Sequence, residues 1–300
     1  MGQIRKIRKA FKSKSTLEGA GVHLHRAFGF NEVPLFDPFL LLDDFRNDRP
    51  EHYLKGFPWH PHRGIETITY VLRGDVEHGD SLGNKGIIGS GDVQWMTAGS
   101  GIIHQEMPKG DPHGLMWGFQ LWANLPARHK MMAPRYRDVK QSQIPMRITP
   151  QGVTLRVICG RVEETTGPVE DIVIDPQYID ITVPAGTTYR HPTKRGHTVF
   201  VYVIEGHGYF CEERSPFTYD IASERYFDMS AAASAQDGTL LLFDDGDEIK
   251  VSTEESATRF LLIAGQPIGE PVAWYGPIVM NTQQELQTAF EEYQKGTFIK

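Results

Sequence analysis

Two short stretches carry side chains whose types and spacing could bind a metal ion. The first is FPWHPHRGIE, Phe57 to Glu66, with His60 and His62 two positions apart. The second is GSGDVQWMTAGSGIIHQEMP, Gly89 to Pro108, with His104 and Glu106 two positions apart. In a β-strand, residues i and i+2 point to one face, roughly 6.5–7 Å apart along the chain. Each pair can therefore aim both side chains into one cavity, and two such pairs on neighbouring strands converge on one point. The result is three imidazoles and one carboxylate, with room for water or a substrate. That donor set suits iron, nickel, copper, zinc or manganese, and the sequence does not choose among them. Calcium and magnesium prefer oxygen shells. A purely structural ion is disfavoured, because closed structural sites are usually tetrahedral and rich in cysteine.

Glu66 competes for the place of the carboxylate. Counted along one strand from His62 it has the same parity and could face the same cavity. It reads either as a further ligand or as a residue behind the ligands, pairing Arg63 or orienting an imidazole. Other histidines carry less. His23 and His25 form a second HxH with no matching pair nearby, and His78, His113, His129, His191 and His207 are scattered. Those five read as surface or loop residues.

Strands must hold these residues, and the chain is rich in candidates. TITYVL (Thr67–Leu72), GLMWGFQLWANL (Gly114–Leu125), VTLRVICG (Val153–Gly160), TVFVYVIEG (Thr198–Gly206) and TRFLLIAG (Thr258–Gly265) are apolar, β-branched runs cut by glycine turns. The pattern predicts an all-β protein of sandwich or barrel type. A polar, proline-bearing stretch from Ala133 to Gly152 reads as a connector. It divides the 300 residues into two domains, 1–140 and 150–300. RGHTVFVYVIEGHGYF, from Arg195, resembles RGIETITYVLRGDVEH, from Arg63, which suggests a degenerate internal duplication. One helix is predicted in NTQQELQTAFEEYQKG. Thr282 and Glu285 form a capping box, Leu286, Ala289, Phe290 and Tyr293 make an apolar stripe, and Gly296 suits the stop.

Composition narrows the function class. Hydrophobic residues at 40% and charged residues at 23% are ordinary for a globular protein. A net charge of −7 argues against a generic nucleic-acid surface. No apolar run approaches the ~18 residues of a membrane span. Two unpaired-looking cysteines, Cys159 and Cys211, fit a reducing compartment, so a cytoplasmic location is expected. The basic run Arg5–Lys14 reads as a solvated strand face, with a partner-binding arm as the alternative. Nothing resembles a dimer seam, and a monomer is the default.

The two histidine-bearing stretches also carry a family resemblance. GFPWHPHRGIE, from Gly56, resembles the first cupin motif of pirins, and GDVQWMTAGSGIIHQEMP, from Gly91, resembles the second. DPFLLLDDF (Asp37–Phe45) and AFEEYQKGTF (Ala289–Phe298) are similar to pirins as well, so the resemblance runs almost from end to end. It implies a bicupin, two stacked cupin barrels with the metal in the N-terminal one. By position, it implies His60, His62, His104 and Glu106 as the ligands and places Glu66 behind them. The C-terminal half has His197 and Glu205 near its matching strand but no HxH, in keeping with a metal-free second cupin. The resemblance further implies a quercetin 2,3-dioxygenase using Fe(II) and O₂ on a flavonol. Glu106 would take the substrate's hydroxyl proton, and Phe57, Trp59, Trp95 and Met96 would wall the site. The alternative it offers is a redox-sensitive regulator that binds a partner protein.

Overall fold

In the computed structural model, the described residues are 2–212, 214, 220–222 and 234–300. They form β-strands throughout, with one α-helix, Gln283–Gln294. The contacts resolve two compact units. One comprises Lys14–Gln143 and Ile268–Lys300, the other Met1–Ser13 and Ile144–Pro267. This differs from a division into 1–140 and 150–300 at both ends of the chain. The reason is pairing. The Ile7–Lys12 strand adds to Thr239–Phe243, and Ala273, Ile278, Leu286 and Phe298 pack with Ile103.

Among the described residues, the unit that holds the candidate residues is built on two large sheets, with the small Ala273–Tyr275/Ile278–Met280 hairpin beside them. A seven-stranded sheet runs in the order Arg135–Val139, Val93–Thr97, Ile65–Arg73, Trp117–Asn124, Phe39–Asp44, Val22–Phe28, Lys14–Glu18. A four-stranded sheet runs Phe57–His62, Ile102–Lys109, Asp75–Asp80, Lys85–Ile88. Their apolar faces meet in the interior. Val22, Leu24 and Val71 of the first sheet pack with Val76 and Ile88 of the second. Leu40, Ile65 and Met96 pack with Ile102. Fully burying each such side chain is worth about 1.5–3 kcal/mol, which holds the sheets face to face.

The other unit is built on a nine-stranded sheet that includes Ile7–Lys12, Thr198–Gly208 and Thr258–Gly265. Its core is dense in Val, Ile and Leu, among them Val157, Ile181, Val201, Leu241 and Leu262. Thr198–Gly208 lies between two strands of that sheet, as Ile65–Arg73 does in the first unit, so the two resembling segments take similar places. Lys6, Arg8, Lys12 and Lys14 are exposed, as a solvated face requires, but Arg5 is buried. Its guanidinium donates to Thr193 Oγ1 and to the carbonyls of Asp244 and Lys194, at 2.7–2.8 Å.

The helix begins as its capping box dictates. Glu285 N donates to Thr282 Oγ1, and Thr282 N donates to Glu285 Oε2 at 2.9 Å. Leu286 and Ala289 are buried under the Ala273–Met280 hairpin, while Tyr293 stays partly exposed. No helix among the described residues is long and apolar enough to cross a membrane.

Candidate metal centre

The Ile102–Lys109 strand lies between Phe57–His62 and Asp75–Asp80. Its even-numbered residues, from Ile102 to Pro108, are buried and its odd-numbered ones are not, so His104 and Glu106 face the interior together. His104 pairs directly across from His60, and Ile102 across from His62. A register irregularity between His104 and Glu106 places Glu106 opposite Phe57. One nitrogen from each of His60, His62 and His104 lies within 4.8 Å of the others. Ring centroids are 4.4 Å apart for His60 and His104, and 4.9 Å for His62 and His104.

The hydrogen bonds around the rings set which nitrogen is free. His60 Nδ1 lies 2.8 Å from the Pro58 carbonyl, and His62 Nδ1 lies 3.0 Å from the Pro277 carbonyl. A carbonyl only accepts, so each Nδ1 carries a proton, and a neutral ring then keeps its lone pair on Nε2. The two Nε2 atoms are 3.1 Å apart. Two lone pairs facing one another at that distance repel, and a shared cation removes the conflict. Buried His104 has no hydrogen-bond partner on either ring nitrogen. Burial first, then the neighbouring imidazoles, hold His62 and His104 well below the ordinary histidine pKa, so both rings are neutral and able to donate. On these grounds the donor set fits a transition-metal ion.

Glu106 lies outside the triad of nitrogens but lines the same cavity. Its Oε1 is 2.8 Å from Thr69 Oγ1, and Gln120 Nε2 donates to Oε2 at 3.3 Å. Glu66 is elsewhere. It accepts from Thr97 Oγ1 at 2.6 Å and Trp95 Nε1 at 3.2 Å, and faces Arg135 at 3.6 Å. Arg63 donates to the carbonyls of Ser100 and Phe298 and to Glu292, at 2.6–2.8 Å. Neither pairing of Glu66 with Arg63 nor a hand in orienting an imidazole is therefore seen. Among the described residues the carbonyls of Pro58 and Pro277 orient the rings. His197 and Glu205 of the other unit are not brought together, since His197 faces Asp175 and Glu205 pairs with Arg259.

His60 and His62 open into a cavity of about 730 Å³. Phe57 lines it, together with Phe30, Phe45, Trp122, Trp274 and Tyr275. Trp95 and Met96 are not wall residues. Trp95 is buried with its indole on Glu66, and Met96 belongs to the core. Trp59 is half exposed. His78, expected as a surface or loop residue, is instead a buried strand residue, bonded to Asp80 at 3.2 Å and 5.5 Å from the His104 ring. The signal was present, because His78 and Asp80 are another i, i+2 pair on one strand.

Comparison with known proteins assigns the chain to a family. Residues 21–123 match the pirin family model, and residues 178–299 match the pirin C-terminal cupin domain. A pirin-like protein of Caulobacter vibrioides is 43% identical, covering 98% of this chain and 99% of its own length. Human pirin is 35% identical, covering 98% and 93%. A crystal structure of quercetin 2,3-dioxygenase from Acinetobacter baumannii superposes with a TM-score of 0.85, is 30% identical, and covers 98% of each chain. With both halves matched and the likeness running the full length, this all-β, two-cupin chain belongs to the pirin family.

Proposed function

We propose that the protein is a metal-dependent dioxygenase that opens a flavonol ring with O₂. His60, His62, His104 and Glu106 would hold a single divalent transition metal, with iron(II) as the first candidate. The observation that carries this reading is the pair of Nε2 lone pairs 3.1 Å apart, each fixed by a carbonyl behind it, at the end of an aromatic-walled cavity. The comparisons support it through the quercetin 2,3-dioxygenase of similar fold and sequence.

When bound, the metal supplies a Lewis acid and a template for the substrate's 3-hydroxy-4-oxo edge and O₂. The chain supplies the rest. The Pro58 and Pro277 carbonyls keep His60 and His62 in one tautomer and one orientation. Phe57, Trp122 and Trp274 offer flat apolar surface to an aromatic substrate and exclude water from it. Glu106 takes the proton of the substrate hydroxyl, and Gln120 Nε2 steadies the carboxylate before the transfer.

The test uses protein purified without oxygen, its metal content measured, and quercetin added under air. Metal-dependent loss of the flavonol with release of CO is the expected result, and His104→Ala should lose both bound metal and turnover. A fully iron-loaded protein that leaves quercetin intact would overturn the reading. Full metal retention by both His60→Ala and His104→Ala would overturn the site.

A further inference from the structure

A polar row crosses the seven-stranded sheet beside the candidate centre. Arg26 pairs across strands with Asp43, Asp43 with Gln120, Gln120 with Thr69, and Thr69 with Gln94. Direct cross-strand partners project from the same face of a sheet. The first four of these residues line the cavity. At its inner end the row touches Glu106 through Thr69 and Gln120. At its outer end Arg26 donates to both oxygens of Asp43 at 2.8 Å and pairs with Glu18 at 2.9 Å. Thr69 and Arg26 stand three strands apart, which at about 4.8 Å per strand is roughly 14 Å.

The outer end is rich in acceptors. Two carboxylates share one guanidinium, whose Nε, Nη1 and Nη2 are all engaged by them. One negative charge is left over, together with carboxylate lone pairs that Arg26 cannot fill. Asp43 is buried with both oxygens accepting from Arg26, and it lines the cavity, so its remaining lone pairs are open to a donor that reaches into that cavity. A molecule reaching from Glu106 to this end must span about that distance and carry hydrogen-bond donors at its far tip.

We infer that Glu18 and Asp43 are specificity-determining residues that accept hydrogen bonds from phenolic hydroxyls on a terminal ring. The site thereby selects polyhydroxylated flavonols over bare ones. The inference rests on the flavonol reading above, and binding measurements separate the two. The probes are quercetin and 3-hydroxyflavone. The latter keeps the 3-hydroxy-4-oxo edge and lacks hydroxyls on both terminal rings.

Equilibrium binding of each is measured by calorimetry on the full chain, metal-loaded and without oxygen. Wild type should bind quercetin at least about tenfold more tightly, as expected for hydrogen bonds to charged acceptors. Glu18→Gln and Asp43→Asn should each cut that ratio to about threefold or less. Glu18 sits at a partly exposed rim, so Glu18→Gln leaves the fold intact, and circular dichroism checks Asp43→Asn. A wild-type ratio near one, or a tenfold ratio that survives both substitutions, overturns this inference and leaves the flavonol reading standing. If neither probe binds, both fall.

Discussion

His191, in the unit without the triad, shows how burial alone prices a charge. It is fully buried, its Nδ1 lies 3.0 Å from Tyr189 Oη, and its Nε2 has no hydrogen-bond partner. Desolvation pushes its pKa down to about 4. The unfolded chain therefore binds the proton first as pH falls below about 6.5, and the folded state lags until about 4. Stability is complete above that window and falls as pH drops through it, by about 3 kcal/mol for this one group. His191→Leu should lose about 3 kcal/mol less than wild type between pH 7 and pH 4, measured by urea unfolding at each pH. An equal loss would show that His191 is not the titrating group. At the same scale, the paired spacing of His60 with His62 and of His104 with Glu106 was legible, because each pair lies within one strand. Glu66 was not. The strand ends at His62, Gly64 turns with φ 79°, and a new strand starts at Ile65, so parity counted from His62 does not carry across.

Among the elements, Lys130 ties three segments together. Its ammonium donates to the Gly64 carbonyl at 2.9 Å, Asn124 Oδ1 at 2.7 Å and the Val279 carbonyl at 3.0 Å. Three acceptors match the three protons of an ammonium. Lys130→Met keeps the buried stem and strands all three acceptors. The expected cost is about 2–4 kcal/mol, read as a lowered thermal midpoint. A midpoint within a degree of wild type would show that the three bonds contribute nothing net. The strand runs between glycines and the capped helix were readable because each advertises its own period and ends. The connector expected over Ala133–Gly152 contains the Arg135–Val139 strand, paired with Val93–Thr97. Arg-Tyr-Arg-Asp-Val lacks the apolar alternation of a central strand because it is an edge, where one side needs no partner and charge is tolerated.

For the molecule as a whole, local patterns named the elements but not their owners. Periodicity reports what a segment is, whereas the exchange of chain ends between units depends on pairings far apart in sequence. The Met1–Ser13 segment joins the unit formed by residues 144–267, and Ile268–Lys300 joins the one bearing the histidines. Residues 14–143 produced alone should therefore bind metal at least about tenfold more weakly, since the second partner of a ligating imidazole is lost. Co-expression with residues 268–300 should restore binding, followed by metal content after gel filtration. Full metal binding by residues 14–143 alone would remove the C-terminal segment from the site.

The carbonyl behind His62 belongs to Pro277, far along the chain. His104 leaves the ribosome some ~170 residues before it, an interval of about 9–35 s at roughly 5–20 residues per second. Throughout that time the three imidazoles can meet, but His62 has nothing to fix its tautomer. Order of synthesis thus acts as a timer, and the centre is finished only when almost the whole polypeptide has been made.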